Sequence, residues 1–153
     1  MSDEYRLISI PDTRFYHCNI KTLNLIPNVM AAQQASEAGC NETVFVRDGY
    51  VTECSHSNIS MVKDGVFITH PLDNLILPGT ERKHIIRWCG ELGIPVKERA
   101  FTLEELYTAD EILVTSTSHP SMRAMELNQK AVGMKNPELI QKLRDKYLNE
   151  IGK

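Results

Sequence analysis

Two Asp-Gly pairs, Asp48-Gly49 and Asp64-Gly65, each stand between apolar runs, and they constrain the fold of this chain more than any other feature of its sequence. A two-residue Asp-Gly connection suits the tight turn in which both central residues take positive φ, and that turn joins neighbouring antiparallel strands. The flanking runs 43–46, 51–53, 58–63 and 66–70 therefore read as strands, and the middle of the chain as an antiparallel meander. Segments of a longer period surround it. Residues 24–39 read as a helix, with Pro27 in its first turn, an alanine-rich body and Gly39 as its stop. A second helix over about 80–91 follows Gly79 and ends at Gly93, with Ile85, Cys89 and Leu92 on one face. Thr102-Leu103-Glu104-Glu105 has the capping-box pattern and opens a short helix through Ala109. Asn136-Pro137 starts a last helix with an apolar stripe of Ile140, Leu143, Tyr147 and Ile151. Strands at 5–10, 96–99, 111–117 and 122–127 complete a mixed α+β chain, a mostly antiparallel sheet with flanking helices. Its 153 residues fit one domain, read here as 1–153.

Charge and cysteine usage narrow the partners. A net charge of -3, with basic and acidic residues interspersed, gives no electrostatic reason to expect nucleic acid or a lipid surface. A small polar or acidic ligand is expected instead. Cys18, Cys40, Cys54 and Cys89 lie far apart, with no CxxC and no histidine at zinc-like spacing, so no metal site is expected. They read as reduced thiols of a cytoplasmic protein. The opening Met-Ser-Asp-Glu-Tyr-Arg lacks a basic-then-apolar leader, and no apolar run approaches the length that spans a bilayer.

Two short segments carry the chemistry. The first is Cys18-Asn19-Ile20-Lys21-Thr22-Leu23-Asn24; the second is Val51-Thr52-Glu53-Cys54-Ser55-His56-Ser57-Asn58. A lysine amine can condense with a cofactor aldehyde as a Schiff base, and a carboxylate can keep a pyridine nitrogen protonated. Arg14 to His17 is expected to run extended toward Lys21. Ile20 and Leu23 are expected to desolvate the lysine in part, which favours its neutral amine. Two further places offer donors to a phosphate, Gly79-Thr80 at a helix start and Ser116-Thr117-Ser118 at a strand end. Each feature also has an ordinary reading. Lys21 would be a surface charge, Glu53 an exposed strand-end carboxylate, Gly79 a turn, Arg14 an ion-pair partner and His56 a hydrogen-bonding loop residue.

Taken together, these segments resemble the class IV (fold type IV) pyridoxal-phosphate-dependent aminotransferases, closest to the D-amino-acid aminotransferases, over that family's C-terminal, cofactor-binding half. The resemblance implies a pseudo-barrel sheet and pyridoxal 5'-phosphate as cofactor. It makes Lys21 the Schiff-base lysine and the base that moves the substrate α-proton, and Glu53 the partner of the pyridine nitrogen. Ser57 and Asn58 would line the ring, Leu77 would pack on it, and Gly79, Thr80, Ser116 and Thr117 would hold the phosphate. Glu81 departs from the family's usual threonine, and a carboxylate beside a phosphate repels it unless it points to solvent. The implied reaction exchanges an amino group between a D-amino acid and a 2-oxo acid, in a homodimer. An aminodeoxychorismate lyase, to which Glu53-Cys54 is similar, is the alternative, as is a module that binds the cofactor or a protein without turnover. The family's full-length members carry an N-terminal domain that supplies a phosphate-binding arginine and a trap for the substrate carboxylate. Twenty residues precede Lys21, too few to fold as that domain, so the chain reads as a truncated, partial or naturally shortened form.

Overall fold

Both Asp-Gly pairs turn the chain as their chemistry dictates. In the computed structural model, which describes residues 4–118 and 122–150, Asp48 and Gly49 have φ of 52° and 83°, and Asp64 and Gly65 have φ of 49° and 74°. The first pair joins β2 (Glu42–Arg47) to β3 (Tyr50–Cys54), and the second joins β4 (Asn58–Lys63) to β5 (Val66–Thr69). Both hairpins are antiparallel.

The meander does not continue between them. β3 and β4 stand apart in a sheet of order β3-β2-β1-β8-β7-β4-β5-β6, where β1 is Glu4–Pro11, β6 Val96–Glu98, β7 Glu111–Thr115 and β8 Met122–Leu127. β4 pairs with β7 instead. Glu42 explains the break, because its carboxylate takes the Ser55 backbone N–H and hydroxyl and the Ser57 hydroxyl, and so pulls the β3–β4 connection out of register. Cys54 N–H donates to Ser57 O at 2.8 Å and closes that connection tightly. The sheet therefore curls into a half-barrel with chain-adjacent strands distant in pairing order. The antiparallel pattern is further interrupted by β1, which runs parallel to both β2 and β8, and by the parallel pair β5–β6.

Helices α1 (Ile26–Glu37), α2 (Thr80–Glu91), α3 (Leu103–Thr108) and α4 (Pro137–Glu150) flank the sheet, and a short β9 (Lys130–Ala131) pairs with β8. Both faces of β4 and β7 are buried, which is why their sequences read as continuous apolar runs. Ile59, Met61, Ile112 and Val114 enter a core with Leu7, Val44, Phe101 and Leu106. Their alternates Val62 and Leu113 pack on the other face, against Ile85, Trp88 and Cys89 of α2 and Leu139, Ile140 and Leu143 of α4. Tyr147 packs beside this second core, while Ile151 of the expected stripe lies outside the described residues. Thr102 caps α3 reciprocally with Glu105: the Thr102 hydroxyl accepts the Glu105 N–H at 3.2 Å, and the Glu105 carboxylate accepts the Thr102 N–H at 2.9 Å.

Helix α1 has only two buried residues, Ala31 and Ala35, and rides on β2 through the Thr43 hydroxyl, which donates to Ala31 O at 2.7 Å. Its outer face and the loop before it leave Ile20, Leu23, Ile26, Val29 and Met30 more than half exposed. No helix among the described residues is long and apolar enough to cross a membrane.

Gly65→Ala should lower stability by about 1–2 kcal/mol, because an L-residue in the left-handed region crowds its own Cβ against the backbone. Urea unfolding of the two chains checks this, and an unchanged midpoint would contradict it.

Candidate active site

The β1–α1 loop, the end of β3, the β3–β4 connection, the N-terminus of α2 and the end of β7 converge on one cavity of about 320 Å³. Lys21, Glu53, Ser57, Asn58, Leu77, Gly79, Thr80, Ser116 and Thr117 all lie on its wall, although the sequence spreads them over almost one hundred positions. Arg14, Ser55, His56 and Glu81 share that wall.

Glu53 is the best-defined of these groups. Its Oε1 accepts from Arg14 Nη1 at 2.5 Å, and its Oε2 accepts from Leu77 N–H at 2.8 Å and Asn58 Nδ2 at 3.1 Å. Burial pushes its pKa up to about 7, against the opposing pull of Arg14. The alternative reading of Glu53 as an exposed strand-end carboxylate does not hold, since the residue is 6% exposed. Arg14 is fixed in turn by Asp12, whose Oδ1 and Oδ2 accept from Nε at 3.0 Å and Nη2 at 2.9 Å. Thr52 donates to Asp12 Oδ2 at 2.9 Å, and Arg47 donates to Asp12 Oδ1 at 3.0 Å and to Arg14 O at 2.6 Å. The Phe45 ring lies 4.3 Å from the guanidinium. Arg14 is thus the ion-pair partner that its sequence context suggested, but to a group on the cavity wall.

Two local expectations need correction. Residues after β1 do not run extended: the Arg14 N–H donates to Asp12 Oδ1 two residues back, and Ile20 N–H to His17 O, so the chain coils toward Lys21. Lys21 is not desolvated by its apolar neighbours either. It is exposed, with Ile20 at 55% and Leu23 at 97% exposure, because no described element covers this loop. Its place on the cavity wall comes from the backbone path rather than from burial.

The phosphate-binding candidates are linked through Asn58, which pairs with Thr115 across β4 and β7 and faces Gly79. Gly79 is the N-cap of α2 in extended backbone, Thr80 opens the helix, and Ser116 and Thr117 follow β7. A Cβ on Gly79 would stand 2.1 Å from Asn58 Oδ1, so this position admits glycine alone while Asn58 bridges Glu53 and Leu77 O. Glu81 does not escape to solvent. It is 6% exposed, its Oε2 has no partner among the described residues, and burial raises its pKa against the opposing pull of His84.

Asp12 and Glu42 are not marked out by the sequence. Asp12 sits in what reads as a turn, and its one signal is an acid two residues before Arg14. Glu42 gives no signal, since its partners Ser55, His56 and Ser57 lie thirteen to fifteen positions away.

A family model described as Amino-transferase class IV matches residues 4–127. The chain belongs to the class IV aminotransferases. It is 42% identical over 147 residues to a D-alanine aminotransferase of Listeria monocytogenes serotype 4b (strain F2365), covering 95% of this chain and 50% of that one. The chain therefore spans about half the length of the curated relatives it matches. Among solved structures, a branched-chain amino acid aminotransferase of Thermobaculum terrenum, in its PLP-bound holo form, superposes with a TM-score of 0.84 at 25% identity, over 94% of this chain and 50% of that one. A protein of Legionella pneumophila provisionally named a 4-amino-4-deoxychorismate lyase gives a TM-score of 0.87 at 26% identity, over 95% and 55%. Class IV aminotransferases work with pyridoxal phosphate, and the residues present fit it. The wall offers a lysine amine, a buried carboxylate held by a guanidinium, and a helix N-terminus flanked by hydroxyls.

Removing the guanidinium should be costly. Arg14→Met leaves Asp12 and Glu53 buried without their common partner and should destabilise the fold by about 3–5 kcal/mol, read by urea unfolding. A loss under about 1 kcal/mol would show that the pair is not structural. A second prediction concerns pH. The folded chain holds the Glu53 proton more tightly than the unfolded chain, so this group favours folding most below its ordinary value of 4.5, and that advantage disappears as pH rises through about 7. The unfolding free energy of Glu53→Gln relative to wild type should accordingly improve between pH 4.5 and 7. A difference that stays flat across that window would mean Arg14 keeps Glu53 ionised throughout.

Proposed function

We propose that this chain is the cofactor-binding domain, residues 1–153, of a cytoplasmic, homodimeric transaminase that moves an amino group between a D-amino acid and a 2-oxo acid. The observation that carries the reading is the convergence of Lys21, Glu53 and the N-terminus of α2 on one cavity. The likeness to D-alanine aminotransferases supports the substrate class, and the apolar residues left exposed before and along α1 support a covering partner.

Pyridoxal phosphate supplies, when bound, an aldehyde that condenses with an amine and a ring that accepts the electrons left by a departing α-proton. Lys21 would supply the amine for that bond, and its Nζ would accept and return the substrate α-proton. Glu53 keeps a proton on the ring nitrogen. Arg14 works toward that, because its guanidinium 2.5 Å away opposes the upward pull of burial on the Glu53 pKa. Asn58 and the Leu77 N–H occupy Oε2 and fix the plane of the carboxylate. Thr80 and Glu81 present N–H groups without helical acceptors, and these would hold the phosphate together with the hydroxyls of Ser116 and Thr117. Ser57 and Leu77 close the sides of the ring.

A lyase acting on aminodeoxychorismate is the second reading, favoured by Glu53-Cys54 and by the Legionella neighbour. Cys54 bears on it weakly, since it is 1% exposed and packs in the main core. Release of pyruvate without any amino acceptor would favour the lyase.

Incubation with pyridoxal phosphate, borohydride reduction and peptide mapping should place the adduct on Lys21, and Lys21→Ala should abolish the bound chromophore. Labelling at another lysine would overturn the assignment.

A further inference from the structure

Of the two carboxylates on the cavity wall, Glu53 has a full set of donors, whereas Glu81 has an oxygen with none among the described residues. The Glu81 side chain is 7% exposed and stands at the second position of α2, directly after Thr80. Acids are common in the first turn of a helix, where the partial positive charge of the N-terminus favours them, but such acids ordinarily keep their oxygens in water. Glu81 does not. Its Oε1 lies 3.8 Å from His84 Nδ1, beyond hydrogen-bonding reach, and its Oε2 is buried without a donor. A buried acceptor left unpaired is costly, so the arrangement suits a donor that arrives from the cavity.

The same end of the cavity suits an anion. The N-cap of α2 is Gly79, which has no side chain to satisfy the first N–H groups of the helix, and Thr80, Ser116 and Thr117 line the wall beside it. A phosphate placed there meets Glu81. Fully ionised, both groups are acceptors only, so they repel until one proton stands between them, and with that proton they form a strong hydrogen bond. The charged and titratable groups nearby offer no substitute. On α2, His84 pulls the Glu81 pKa down against the larger effect of burial, Arg82 turns away to Thr69, the His70 carbonyl and Glu98, and Lys83 is exposed. Across the cavity, Arg14 is held by Asp12 and Glu53, and the end of β7 brings the uncharged Thr115, Ser116 and Thr117. Lys21, His56, Cys18 and Cys54 share the wall, and none of them is paired with Glu81.

We propose that Glu81 makes anion binding at the start of α2 proton-linked: a phosphate monoester enters with one additional proton, held between Glu81 Oε2 and a phosphate oxygen. The requirement follows from two acceptors facing each other, whichever of them carries the proton, and the proton is drawn from solvent. Phosphate affinity therefore falls as pH rises. This deepens the transaminase reading and rests on it for the placement of the cofactor phosphate.

Calorimetric titration of the chain with phenyl phosphate tests the link, since this probe has neither an aldehyde nor a titrating ring nitrogen and loses its own second proton at about pH 6. Between about pH 7 and 8.5 its affinity for wild type should fall roughly tenfold per pH unit, with about one proton taken up per molecule bound, read from buffers of different ionisation enthalpy. In Glu81→Gln, whose amide donates without drawing a proton, affinity should stay level across that window and the uptake should vanish. At the upper end of the window this variant should bind more tightly than wild type. Glu81→Thr, which offers a hydroxyl, should behave likewise and decides the matter should the glutamine variant fail to fold. His84→Gln should keep the pH dependence. A level affinity in wild type, a dependence that survives in the Glu81 variants, or its loss in His84→Gln would overturn the proposal, as would no binding to wild type at the lower end of the window. Labelling of Lys21 by pyridoxal phosphate alongside pH-independent binding of phenyl phosphate would refute this link alone. Proton uptake that depends on Glu81, with no adduct at Lys21, would refute the transaminase reading alone.

Discussion

Everything around the cavity depends on the guanidinium of Arg14. Two carboxylates, Asp12 and Glu53, are buried within reach of it, and neither would tolerate burial alone, since an isolated ion loses far more hydration than the protein interior returns. The arrangement survives because the charges are shared and each guanidinium nitrogen of Arg14 is directed to an acceptor. Arg47 and Thr52 complete Asp12, while Asn58 and the Leu77 backbone complete Glu53. Through these bonds the guanidinium fixes the loop that leads to Lys21, the end of β3 and the segment that enters α2. Local backbone geometry at three separate places thus answers to one side chain.

The hairpins and helix boundaries are legible because their signals are local. Asp-Gly fixes its own backbone sign, Thr102 and Glu105 find each other within one turn, and α2 lies within the residues its periodicity marks. What the sequence hides is pairing between distant elements. β1 reads as any alternating strand, and nothing in it announces two parallel neighbours. β9 is hidden for a different reason: its turn is Asn128-Gln129, both at positive φ without a glycine, and it is held by tertiary bonds from Asn128 Nδ2 to the Ser9 and Tyr107 hydroxyls.

The cavity divides along the same line. Lys21 and Glu53 can be found because each sits in a segment of recognisable composition, and the glycine and hydroxyl clusters because phosphate chemistry favours those residue types. The groups that hold them cannot. Asp12 and Glu42 act across thirty-five to forty and thirteen to fifteen positions respectively, through side chains whose direction only the curl of the sheet determines. Lys21 departs from expectation in its environment, though not in its place, because its apolar neighbours Ile20 and Leu23 stay exposed where no described element packs over the loop.

The close approach of Gly79 to Asn58 has a consequence for how this surface could vary. Asn58 reaches its two acceptors only because the facing residue has no side chain, so the two positions share one volume. Substitutions there should be coupled rather than additive: a larger residue at 79 becomes admissible only when 58 shortens, and that shortening strips a donor from Glu53. Drift at the mouth of α2 is thereby tied to the charge state of a carboxylate on a different strand, and the space open to neutral change in this region is correspondingly narrow.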